Sequence, residues 1–110
     1  TDRVDNLNFS NLNNNTMANV TKYEVLVYGD PNGYKGLRAQ ISLFDGLTHL
    51  GFIRFVDTGT AIPADHMTNG LIYMHEPITL LENILGILRN ESSRVFYFIN
   101  SHAFFGAEGS

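Results

Sequence analysis

Two short runs of this chain carry large apolar side chains at consecutive positions. Arg94 to Asn100 reads Arg-Val-Phe-Tyr-Phe-Ile-Asn, and Gly51 to Asp57 reads Gly-Phe-Ile-Arg-Phe-Val-Asp. Both are rich in β-branched and aromatic residues, the composition of strands. A strand with one wet face alternates apolar and polar residues. Here Val95, Tyr97 and Ile99 oppose Phe96 and Phe98, while Leu50, Phe52 and Val56 oppose Ile53 and Phe55. Both faces of such strands need cover, so the chain must build a sheet with something packed on each side.

The other elements follow from pattern and punctuation. Tyr23 to Tyr28 is a strand that stops at Gly29, and Asp30-Pro31-Asn32-Gly33 is a turn in which Pro presets φ and Gly accepts a positive one. In the next strand Leu37, Ala39, Ile41 and Leu43 face one way, and Arg38, Gln40 and Ser42 the other. Asp45-Gly46 turns the chain into the Gly51–Asp57 strand, which completes a meander. Thr58 to Asn69 reads as a long polar loop, and Gly70 to His75 as the fourth strand. Pro77 opens a helix that runs to about Arg89, with Asn90 as a left-handed cap. Ile78, Leu81, Leu85 and Leu88 form its apolar row, widened by Leu80, Ile84 and Ile87. The element order is β-β-β-β-α-β. The fold class is therefore α+β, with an antiparallel-rich five-stranded sheet and one amphipathic helix on one face.

Residues 1–19 stand apart as an Asn-rich N-terminal extension, with too few large side chains to fold alone. Leu7 and Phe9 alternate with polar neighbours and could add a short edge strand. Residues 20–110 make a single α+β domain, long enough to bury one core.

Only 16% of the residues are charged, against 44% hydrophobic. About a quarter charged is usual, so the surface has unusually few charges and association is expected. The chain has no cysteine, which excludes disulfides, thiolate nucleophiles and zinc–thiolate sites. Its net charge is -4, and Lys and Arg never cluster, which argues against nucleic acid as a partner. No apolar run reaches the length of a membrane span. A soluble, cytoplasmic protein with no membrane partner is expected.

Candidate chemistry is sparse. Asp57-Thr58-Gly59 resembles the strand-borne triplet of aspartic proteases, and Phe55-Val56 precede it as hydrophobic residues do in that family. The chain departs from the family beyond the triplet. Where a Gly-rich flap and a second glycine-terminated strand would stand, it has Pro63, Asp65 and His66. Asp57 is therefore expected to end a strand and cap a turn.

The four histidines, His49, His66, His75 and His102, lack the spacing of a metal site, and no metal or cofactor is expected. Asp65-His66 and His75-Glu76 flank the fourth strand, about 20–30 Å apart if that segment is extended. Arg54 lies inside an otherwise apolar strand. It needs a carboxylate, with Asp45, Asp57 or Glu24 as candidates, or else a ligand anion.

Two functional readings result. The first is a small homo-oligomeric interaction or ligand-binding module without catalysis, most simply a homodimer. Phe96, Phe98, Phe104 and Phe105 are its candidate interface, and Arg54 its candidate ligand contact. The second is a small hydrolase-like enzyme whose pocket lies under the 58–69 loop. Its candidate catalytic groups are Asp57 and Asp65 with His66 and His75, a histidine serving as general base.

Overall fold

The structure is a computed structural model and describes residues 16–107. The strands are β1 Thr16–Asn19, β2 Lys22–Val27, β3 Leu37–Asp45, β4 Thr48–Val56, β5 His66–Thr68, β6 Leu71–Pro77, β7 Arg94–Ile99 and β8 His102–Ala107. Helix α1, Leu81–Asn90, lies between β6 and β7, entered through a 3-10 turn at Ile78–Leu80. The fold is α+β with one helix and mostly antiparallel strands.

The strands form two sheets where one was expected. The larger has the order β2-β3-β4-β6-β5 and the smaller β1-β7-β8. Every pair is antiparallel except β4 with β6. The parallel pair arises from the segment between Thr58 and Asn69, which is only partly a loop. Its end forms β5, and Asn69 and Gly70, at φ 53° and 81°, turn the chain back into β6. Asn-Gly with both residues left-handed is the favoured two-residue hairpin turn.

Thr16–Asn19, grouped above with the Asn-rich extension, instead pair with β7, and Val20 is 2% exposed. The possible edge strand at Leu7 and Phe9 lies outside the described residues. His102–Ala107 is also a strand, so Phe104 and Phe105 sit within a hairpin and not beyond the last strand.

One core joins all layers. Ala39, Ile41 and Leu43 of β3, Ile53 and Phe55 of β4, and Ile72 and Met74 of β6 supply the inner face of the large sheet. Ile84, Leu85 and Leu88 of α1 and Phe96, Phe98 and Ala103 of the small sheet pack against it. Phe96 and Phe98 are 0% and 6% exposed. That corrects their assignment to an interface, because the small sheet turns this face inward onto the core. Tyr97 and Phe104, stacked with centroids 5.0 Å apart, take the outer face instead.

The helix also differs in detail. Pro77 ends β6 with φ -70° and ψ 150°, so the helical turn starts after it. Asn90 stays helical and Glu91 leaves in an extended conformation. The expected left-handed cap is replaced by Arg94, whose Nη1 donates to the Leu88 carbonyl at 2.5 Å.

Candidate functional site

The outer face of the large sheet carries a row of polar side chains across three neighbouring strands. Register places Gln40 of β3 beside Arg54 of β4, and Arg54 beside His75 of β6. Side chains directly opposite in a sheet share a face. These three form the floor of a cleft of about 510 Å³, whose walls are Tyr28, Tyr34, Lys35, Leu37 and Pro63. That volume is in the range of small-molecule sites.

The walls are held by Arg38, one pleat from Gln40. Its Nη1 donates to the carbonyls of Tyr28 at 2.6 Å and Asp30 at 2.9 Å, and its Nη2 to Pro31 at 3.0 Å. Nη2 also meets Asp57 Oδ2 at 2.8 Å. One guanidinium thus ties the Asp30–Gly33 turn to the start of the 57–65 loop. Within that turn the Gly33 N–H donates to the Asp30 carbonyl at 2.8 Å, the bond the Pro-Asn-Gly sequence predicts. Tyr28 and Tyr34 face each other across it, with centroids 5.3 Å apart.

Asp57 accepts the Thr58 N–H at 3.0 Å as well, so it is a turn cap and an ion-pair partner. The hydrogen bond from Arg38 is the chief cause holding its carboxyl below the ordinary range, against a smaller opposing effect of burial.

Arg54 lacks such a partner. Its Nε donates to Gln40 Oε1 at 3.1 Å, and its guanidinium lies 4.6 Å from the Tyr73 ring and 5.1 Å from the Phe52 ring. Among the described residues no carboxylate lies within ion-pair distance of it. The expected pair with Asp45, Asp57 or Glu24 does not form. Asp57 is taken by Arg38, while Glu24 lies near Lys22 at 3.8 Å. Gln40 and the two rings hold the guanidinium in orientation, half-buried on the cleft floor.

His75 is 8% exposed, and among the described residues its Nδ1 has no hydrogen-bond partner. Burial pushes its pKa down, a displacement that Asp65 opposes and that His66 and Arg54 reinforce, so the imidazole is neutral at neutral pH. The β5–β6 hairpin brings His66 next to it, with ring centroids 5.9 Å apart, although the extended reading put the two at opposite ends of a segment. His66 stacks on Tyr73 at 4.7 Å and bonds Thr68 Oγ1 through Nδ1 at 3.0 Å.

Asp65 lies 4.0 Å from His75 Nδ1, but its oxygens accept two main-chain N–H groups, those of His75 and Ala103. Of the four candidate catalytic groups, only His75 lines the cleft. Among the described residues no three His, Asp or Glu side chains converge as a metal site would require.

Gln40, Tyr28, Tyr34 and Lys35 were not singled out as candidates. Gln40 has no distinguishing local signal. The tyrosines do flank the Asp30–Gly33 turn, which is a legible cue that a hairpin brings them together. No family model matches the chain, and no curated protein or solved structure matches it either.

Proposed function

We propose that the domain is a ligand-binding module without catalysis, and that its cleft takes a small planar organic anion carrying a carboxylate. The observation that carries this reading is Arg54. Its Nε is fixed by Gln40 and its plane rests on Tyr73 and Phe52, while its terminal nitrogens meet no carboxylate among the described residues. A guanidinium so oriented suits the two oxygens of a carboxylate. Lys35 adds positive charge at the rim, and Tyr28 and Tyr34 offer ring faces to a planar body. The neutral His75 supplies polarity without a second charge. A non-catalytic role is supported by Asp57 and Asp65, both engaged in structural hydrogen bonds.

Titration calorimetry with benzoate and with inorganic phosphate tests this reading. Benzoate should bind, and Arg54→Gln should weaken it by about tenfold or more, the loss of one charge-assisted pair. Absence of benzoate binding, or binding unchanged in Arg54→Gln, overturns the reading. Phosphate binding tighter than benzoate would replace the planar carboxylate with a tetrahedral anion.

A further inference from the structure

The large sheet ends on β2, and that edge is bare among the described residues. The Tyr28 N–H donates to the Arg38 carbonyl at 2.9 Å, one step beyond the β2–β3 register in which Val27 faces Ala39. Hydrogen-bonded residues alternate along an antiparallel pair. Lys22, Glu24 and Leu26 therefore turn their main-chain groups toward β3, and Tyr23, Val25 and Val27 turn theirs outward. Those three share the core-facing side of the sheet, yet Val25 and Val27 are 40% and 60% exposed. Leu26, on the opposite face, is 54% exposed. The strand has no Pro, Gly or bulge, and its charges stand at Lys22 and Glu24. Natural edges are blunted by Pro, bulges or charges, and the Val25–Val27 stretch of this edge carries none of these, so it can accept another strand.

We propose that β2 pairs with β2 of a second copy, antiparallel about a two-fold axis at Val25, joining two large sheets into one. The outward groups select this register. With the axis at Val25, Tyr23 faces Val27, Val25 faces its own copy and Val27 faces Tyr23. All three outward residues are then paired within the strand, through about six main-chain hydrogen bonds. An axis at Glu24 would set the two carboxylates opposite each other, which is unfavourable. Axes at Tyr23 or Leu26 pair an outward residue with a position beyond the strand. A second copy supplies the self-complementary occupant that a two-fold contact requires.

The experiment uses the full chain, in which every introduced thiol is the sole cysteine of its copy. The parent should sediment as a dimer at micromolar concentration. Val25→Pro removes an outward N–H and leaves the β3 ladder whole, so it should sediment as a monomer with unchanged far-ultraviolet circular dichroism. Facing hydrogen-bonded residues lie about 5.5 Å apart at Cα, within disulfide reach. Val25→Cys should therefore cross-link on oxidation and Tyr23→Cys should not, while Tyr23→Cys mixed with Val27→Cys should. A monomeric parent overturns the proposal. Fast hydrogen exchange at the Val25 amide would then show a bare edge, and slow exchange an edge covered by another segment of the chain. A dimer that survives Val25→Pro, or that cross-links through Tyr23→Cys alone, also overturns it.

Discussion

Asp65 accepts the main-chain N–H of His75 at 2.8 Å through Oδ1, and its Oδ2 accepts the Ala103 N–H at 3.1 Å. One carboxylate therefore fastens β6 of the large sheet to β8 of the small one. In Asp65→Asn the amide offers an N–H to one of these donors, which is left unsatisfied in a part-buried place. That should cost about 1–3 kcal/mol in urea unfolding, with an unchanged slope. A variant as stable as the parent would mean that the clamp contributes nothing.

His75 gives the fold a pH dependence of known sign. Its folded pKa lies below the ordinary 6.5, chiefly through burial. Between these two values the unfolded chain binds more protons, so stability is full above the unfolded value and falls as pH drops toward the folded one. Glu76 acts in the opposite sense. Burial raises its pKa above 4.5, and between 4.5 and the raised value the folded state binds more protons, so stability falls as pH rises there. Denaturant midpoints from pH 7.5 down to 5 should thus fall more steeply in Glu76→Gln than in the parent. His75→Gln should flatten the decline.

Gly51 allows β4 and β6 to approach. It sits at φ 153° opposite Ile72, and an added Cβ would fall on the Ile72 carbonyl oxygen. Ile72 is paired on both sides, with Gly51 of β4 and Met67 of β5, so its main chain cannot move aside as a flexible side chain would. Gly51→Ala should cost about 3 kcal/mol or more, read as a lower thermal midpoint or as loss of soluble protein. Gly46→Ala is the comparison. It also has positive φ, but nothing lies within 4 Å of its added Cβ, so it should cost less.

Phe96 is wholly buried and its ring lies 6.4 Å from that of Phe105. Phe96→Ala should destabilise by about 3–5 kcal/mol. Tyr97→Ala, on the half-exposed outer face, should cost less. Equal losses would mean that the small sheet is buried on both faces.

Much of the local structure is legible in the sequence, because its causes are local. The alternation from Leu37 to Leu43 marks the core face of β3, and Ala39, Ile41 and Leu43 are all wholly buried. The Asp30–Gly33 turn closes with the bond its residues predict. The apolar row of α1 buries Leu85 and Leu88 as its spacing requires. Asn69-Gly70 carried a hairpin signal too, but β5 is only three residues long and two of them, His66 and Thr68, are exposed. So short a strand has no period of its own, and the segment reads as loop.

What the tertiary structure alone decided is which strands are neighbours. Periodicity says which side chains share a face, and says nothing about the strand lying alongside. The two-sided runs therefore pointed to one sheet covered on both faces, whereas β7 left to build a second sheet and β4 took the centre of the first. The cleft has the same origin. Gln40, Arg54 and His75 are separated by fourteen and twenty-one residues, and only the antiparallel β3–β4 and parallel β4–β6 registers set them in one row. Arg38 and Arg54 look alike in sequence, each a lone cation in a strand. Leu37 pairs with Val56, which puts Asp57 within reach of Arg38 and leaves Arg54 with Gln40 and two rings. Charge pairing depends on distances of a few ångströms, and those distances are set by register between strands that the chain brings together only on folding.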